Sequence, residues 1–486
     1  MFDEFLVDQL NLALAEPMHS NARNPCDALL HIPKVALMFM TNGRVPHERL
    51  WRLWVLQAKA LVPLGAVRQY AAASSRPGEP SDPSRLQQLA EACGARSGGK
   101  RPVSPIHRQF LFTFYVHAPP EYFPGHSTTA LFAGSLIPHR TRARRQEHSL
   151  IDAERLLLAE ALRDPLNQRF LLLSDTTLPL YGPALVYQQA MAETQSRMDA
   201  CNYHPEIPVG GWVASPLVLG FSTFVAHVKL GVLRAQGLQG NLDRWDAGME
   251  GPRLKMHHWR KTSMWFSMPR RHAEIIAREV EINAAFQQFC KKRAVHPLTN
   301  SSASCTSCEH YPAIVMAVLG LQHETTCNGN GNTYVDWNIE IKYGHPRTFE
   351  NADVNDTLVA VARTGSHCTL QETEEAIRAA GQQFVNARLL SKPCDPAAAP
   401  ALPPDPPPRY PAFSANCSLF IRKMPETVEA TAFQVLGRHV RGLAWEDTVE
   451  QEGGAVHKLV EGIENRTATS MPLDAANRVL HALYPN

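Results

Sequence analysis

Three short stretches of nearly continuous apolar character stand out along the chain: residues 34–41 (KVALMFMT), 110–117 (FLFTFYVH) and 169–175 (RFLLLSD). A strand with one wet face alternates apolar and polar residues. These stretches do not, which predicts strands covered on both faces, as in a parallel sheet. Between them, residues 47–61 (HERLWRLWVLQAKAL) and 149–162 (SLIDAERLLLAEAL) bring apolar positions back every three or four residues, the period of a helix with one buried face. The second of these opens on Ser149 with Asp152 three residues on, an approximate capping box. One further helix is predicted over 269–289, with Ile275, Ile282, Phe286 and Phe289 on one face. Strand, helix, strand in this order predicts a Rossmann-like α/β sandwich.

The 486 residues, 44% apolar and 19% charged, are enough for one large core. The pattern places a single domain over 31–450, preceded by a segment at 1–30 and followed by a helical tail at 451–486. Two low-complexity insertions interrupt it. Residues 73–106 are rich in Ser, Arg, Gly and Pro, and the second, about 371–412, contains PAAAPALPPDPPPRYP. Neither can bury enough apolar surface to build a core. A formal net charge of +2 gives no reason to expect a nucleic-acid partner. The basic run Arg140, Arg142, Arg144 and Arg145 reads as a solvated loop more readily than as a phosphate clamp.

Ten cysteines are too few for a disulfide scaffold and more than a cytosolic enzyme needs. Cys290, Cys305, Cys368 and Cys417 fall where long-range bridges would suit an oxidising lumen, and their pairing is open. Sequons at Asn300, Asn355, Asn416 and Asn465 fit the same compartment. The segment MFDEFLVDQLNLALAEP carries acids and reads as an amphipathic helix, with neither a signal nor an anchor visible.

Chemistry concentrates at a few positions. Glu309, in CTSCEHYPAIVMAVLG, stands in a cysteine-flanked loop ahead of an apolar element. A desolvated carboxylate is costly, so it is either an ordinary solvated loop residue or a general base at a cleft edge. Glu154 flanks the buried face of its helix and could snorkel to water or accept a ligand's hydrogen bonds. His117, Ser174 and Asp175 end predicted strands, where open α/β sheets bind ligands. WRKTSMWF (259–266) sets two tryptophans beside Arg260 and Lys261, which suits sugar stacking or simply a half-buried strand. Trp337 lies in a polar loop. There is no P-loop, G-x-G-x-x-G, G-x-S-x-G, H-E-x-x-H or D-x-D, and Cys305-x-x-Cys308 is at most half of a zinc site. Without D-x-D, a nucleotide diphosphate here would be held by Arg and Lys in place of a metal.

Taken in order, KVALMFMTNG, FYVHAPPEY, SLIDAERLLLAEAL, RFLLLSDTTLPLY, WRKTSMWF, CEHYPAIV, VDWN…GHPRTF, RTGSHC and CSLFIRKM resemble the core-2/I-branching β-1,6-N-acetylglucosaminyltransferase family, its plant and algal members above all. The resemblance runs from about Lys34 to Met424. It implies a GT-A-like fold and an inverting, metal-independent transfer from a UDP-sugar to an acceptor hydroxyl on a glycan or glycoprotein, with no cofactor. N-acetylglucosamine is the implied sugar; xylose from UDP-xylose, or an inactive glycan- or nucleotide-binding homologue, are the alternatives. Residue by residue it implies Glu309 as the base and Lys423 and Arg363 as diphosphate contacts. Val116, His117 and Glu154 would lie near the uridine, and Trp337 and Lys261 on the acceptor side. Golgi residence is implied too, with membrane attachment only through an anchor outside this sequence. The chain departs from the pattern at Arg145-Gln146, where Trp-Gly is usual, and at Cys308, where Asp is.

Overall fold

The computed structural model describes residues 32–59, 61–63, 111–123, 132, 134–201, 244–290, 305–327, 331–337, 346–364, 368, 370–381, 383–386 and 417–441. The segments 1–30, 73–106, 393–412 and 451–486, and the sequons at Asn300, Asn416 and Asn465, lie outside them. Every residue of strand β1 (Lys34–Met40) is buried. Its side chains alternate between two apolar layers. Val35, Leu37 and Phe39 face one, and Ala36, Met38 and Met40 face the other. That is why its sequence shows no alternation.

Helix α1 (Glu48–Lys59) follows, placing Trp51 and Trp54 against Phe39 and Phe112 in the first layer. Strand β2 (Leu61–Pro63) comes next, then β3 (Phe112–His117), helix α2 (Ser149–Leu162) and β4 (Asn167–Ser174). Both β3 and β4 pair with β1 in parallel, so that Met40, His117 and Ser174 stand side by side at the carboxyl ends of three strands. Helix α2 belongs to the second layer, with Ile151, Leu157 and Leu158 fully buried. The predicted capping box does not form. Ser149 Oγ instead accepts the Arg144 N–H at 2.9 Å, and Asp152 pairs with His148 at 3.3 Å.

Beyond β4 lie β5 (Leu178–Pro179), helix α3 (Pro183–Ala192) and β6 (Ser267–Pro269), which closes the main sheet antiparallel to β4 in the order β3-β1-β4-β6. The single helix expected over 269–289 is two, α4 (Arg270–Arg278) and α5 (Glu281–Phe289). The cause is local. Arg155 takes the carbonyls of Ala277 and Glu279, and the Glu279 carboxylate accepts the N–H groups of Ile282 and Asn283, starting a second helix there.

Helix α6 (Tyr311–Val318), strand β7 (Thr333–Tyr334), helices α7 (Asp356–Thr364) and α8 (Leu370–Gly381), strands β8 (Phe384–Asn386) and β9 (Phe420–Ile421), and helix α9 (Glu429–His439) complete the described chain. The insertion expected from about 371 begins with ordered structure. Leu370–Gly381 and Phe384–Asn386 form α8 and β8, and β8 pairs with β2, so they belong to the framework. A small sheet, β5-β9-β7, sits beside the main one.

Among the described residues three disulfides fix the fold: Cys290–Cys305 and Cys368–Cys417, joining cysteines the sequence singled out, and Cys201–Cys327, which nothing in the spacing suggested. The pairing of Cys305 removes the zinc reading of Cys305-x-x-Cys308, and Cys308 is a buried free thiol.

Candidate active site

Glu309 ends a short 3-10 turn (Ser307–Glu309) that runs into α6. Two hydrogen bonds dock this turn on the WRKT segment: Thr262 N–H donates to Glu309 O at 2.8 Å, and His310 Nδ1 meets Arg260 O at 2.5 Å. The Glu309 carboxylate therefore projects, about one-third exposed, beside Lys261 and Arg244, each 3.4 Å from Oε2. His310 sits beneath, stacked on Trp259 with ring centroids 4.3 Å apart and its Nε2 3.5 Å from Arg244 Nη1. Burial pushes the His310 imidazole down to about 3 against the bond to Arg260 O, and Arg244 and Lys261 press the same way. The ring stays neutral.

A second group of side chains approaches from β9. Arg422 N–H donates to Tyr334 O at 3.1 Å, Lys423 O accepts the Phe349 N–H at 3.1 Å, and Met424 N–H donates to Thr176 O at 3.0 Å. These bonds bring Tyr334, Phe349 and the FIRKM segment together beside the carboxyl end of β4. The Arg422 guanidinium lies 4.5 Å from the centroid of the Trp265 ring, which joins this group to the WRKTSMWF segment carrying Lys261. Burial lowers Arg422 to about 10, opposed by Asp175; the charges of Arg145 and Glu309 also reach it. Lys423 is lowered by burial and then by Arg422 and Arg145. Arg422 and Glu309 are thus linked through the WRKTSMWF segment, which supplies Trp265 to one and Lys261 to the other.

The remaining predicted residues divide. Trp337 lies three residues beyond β7 and is 46% exposed, a large indole presented to solvent. His117 ends β3, buried, with Nε2 accepting the Thr141 N–H at 3.1 Å; burial, then Arg140, pushes it down to about 4. Three residues do not stand as expected. Val116 has its side chain in the first apolar layer, while its N–H and C=O are bonded to Ser135 O and Ile137 N, leaving its main chain no group for a nucleobase. Glu154 is fully buried, not at a rim, and neither carboxylate oxygen has a hydrogen-bond partner among the described residues; burial drives its pKa well up, so it is a neutral acid. Glu154 lies on α2, which packs against the Ser307–Glu309 turn that carries the candidate base.

Arg363 is the third. Its guanidinium donates to Leu180 O at 2.6 and 3.1 Å and to His439 O at 3.0 Å, and it lies 4.6 Å from the centroid of the Tyr181 ring. It braces α7 against α9 and the β5 turn through its Nε and Nη2 donors.

Sequence reasoning missed Arg244, Arg422 and His310 as members of the site. Arg422 carried a signal, as half of a dibasic pair after a short apolar run. Arg244 carried none, because it follows a long stretch without a motif. The basic run was only partly a solvated loop: Arg140 donates to the carbonyls of Pro119 and Tyr122, and Arg142 pairs with Glu121.

A carboxylate about one-third exposed beside two cations, linked through one segment to a dibasic pair near the carboxyl end of β4, makes a candidate base in an α/β protein. The Core-2/I-Branching enzyme family model matches residues 101–361, more than half of the chain, and the chain belongs to that family. It is similar to Glycosyltransferase BC10 of Oryza sativa subsp. japonica, at 27% identity over 267 residues, which cover 51% of this chain and 57% of that relative. The chain therefore spans a little more than half the length of that relative. Glu154, Lys261, Glu309 and Trp337 lie inside the family match, and Arg363, Arg422 and Lys423 lie beyond it.

Proposed function

We propose that this chain transfers a sugar from a UDP-sugar to an acceptor hydroxyl on a glycan or glycoprotein, with inversion, in a GT-A-like fold, and without a metal. UDP-N-acetylglucosamine is the first candidate donor and UDP-xylose the second, and residence in the Golgi lumen fits the disulfides among the described residues. The observation that supports the reading is the Arg422 guanidinium over the ring of Trp265, in the same segment as Lys261, whose ammonium meets the Glu309 carboxylate. The name of the rice relative agrees with it.

In this reading the acceptor hydroxyl attacks the anomeric carbon as Glu309 takes its proton. The bond from that carbon to the diphosphate oxygen breaks, and UDP leaves with the electron pair. Arg422 and Lys423 meet the charge growing on the leaving group, where preorganised donors act most strongly. Lys261 and Arg244 both contact Oε2, so Oε1 is the oxygen offered to the hydroxyl. Trp337 supplies an aromatic face for an acceptor sugar.

The test is a UDP-release assay over a panel of UDP-sugars, run on the parent and on Glu309→Gln. The variant is expected to bind UDP as the parent does and to lose roughly 10²–10⁴-fold in transfer. Full turnover by Glu309→Gln would end its assignment as the base.

A further inference from the structure

The start of α7 carries a motif that the transfer reaction does not use. Asn355-Asp356-Thr357 is an acceptor pattern for N-glycosylation, and of the four sequons in the chain it is the one within the described residues. It stands where the chain leaves the core. Val354 is buried in the first apolar layer, and the three residues after it are all exposed.

Asn355 caps the helix. Its Oδ1 accepts the Leu358 N–H at 3.0 Å, and its carbonyl accepts the Val359 N–H at 3.2 Å. Asp356 ties the same turn to α9, with His439 Nε2 at 2.7 Å and Arg438 Nη2 at 3.2 Å from its carboxylate. The two ends of the Asn355 amide therefore do different work. Oδ1 holds the cap, while Nδ2 donates to Ala352 O across a long 3.4 Å at the surface. An amide nitrogen carries two hydrogens. A sugar can replace one of them while the other still faces Ala352 and Oδ1 keeps its bond to Leu358. An asparagine inside the core could not carry a glycan, and this one can do so with its cap intact.

We propose that Asn355 is an N-glycosylation site, with Nδ2 as the acceptor atom and a lipid-linked oligosaccharyl diphosphate as the donor. Nδ2 bonds to the anomeric carbon of the donor and gives up one proton to the transferase. The bond from that carbon to the phosphate oxygen breaks, and the lipid diphosphate leaves with the electron pair. The inference rests on the lumenal residence proposed above and is independent of Glu309.

The test is peptide mass mapping of the full chain made in cells with a secretory pathway, before and after an amidase that converts glycosylated Asn to Asp in heavy-oxygen water. The peptide holding Asn355 is expected to carry a glycan and to become Asp with heavy oxygen. N355D keeps a capping side chain and T357A leaves Asn355 in place, yet each is expected to lose one glycan from the intact mass, while T357S keeps it. An unmodified Asn355 beside a glycosylated Asn300, Asn416 or Asn465 would overturn the inference and leave lumenal residence standing. Full parental glycan mass in N355D or T357A would overturn it too. No glycan at any of the four sequons would defeat lumenal residence and this inference together.

Discussion

The Lys261 ammonium stands 3.4 Å from Glu309 Oε2, across the same oxygen that Arg244 approaches at the same distance. Both cations are partly solvated, so each is worth little as a stabilising ion pair. Their use is orientation: they fix one carboxylate oxygen and leave the other toward the rim. Lys261→Met is expected to lower transfer by about two- to fivefold, the size of one screened pair, with UDP affinity unchanged. Steady-state kinetics beside calorimetry would check this; a matching loss of UDP affinity would place Lys261 on the donor instead.

Arg363 gives the sharpest contrast with a sequence expectation. Its three hydrogen bonds to carbonyls make it a brace. Arg363→Gln is expected to cost about 1.5–3 kcal/mol of stability, the worth of hydrogen bonds from a charged donor, and to leave UDP affinity alone. Denaturant unfolding together with UDP titration separates the two roles. Weakened UDP binding in a stably folded variant would return Arg363 to the donor site.

Two buried imidazoles give the fold a pH dependence of definite sign. His310 and His117 are pushed down to about 3 and about 4, by burial first in each case, from an ordinary value of 6.5. The unfolded chain binds these protons below about pH 6.5 while the folded chain refuses them, so stability falls as pH drops from there toward about 4. Each group contributes a slope of about 1.4 kcal/mol per pH unit. Denaturant unfolding at pH 7.5 and pH 5 is expected to show the loss, and His310→Gln to reduce its slope. Equal slopes in parent and variant would show that His310 does not carry the effect.

Gly331 adopts φ +64°, and a Cβ there would lie 2.2 Å from the carbonyl oxygen of Trp265. Neither the backbone angle nor the contact can relax without moving β7 away from the residue whose ring faces Arg422. Gly331→Ala is expected to cost about 1–3 kcal/mol and to weaken UDP binding as well, read by thermal melting and calorimetry. Parent-like values in both would show that β7 is not part of the rim's support.

The strands of the main sheet were legible because burial on both faces demands unbroken apolar runs, and 34–41, 110–117 and 169–175 have them. The helix pattern at 149–162 likewise gave α2 its boundaries. Glu309 and Lys423 were nominated as candidates through the order of motifs. The break between α4 and α5 was not, because it depends on Arg155, distant in sequence, taking two helix carbonyls. Nor was the Cys201–Cys327 bridge, whose partners are separated by 126 residues.

For the site, the sequence by itself determined which residue types were available: a lone glutamate, dibasic neighbours after an apolar pair, and tryptophans beside cations. Only the tertiary structure decided which of them share a rim. Arg363 and Arg422 are the same residue type, yet one is spent on the carbonyls of Leu180 and His439 while the other lies over Trp265 within reach of the Glu309 charge. A guanidinium's role is fixed by what its donors meet, and that depends on chain segments far apart in sequence.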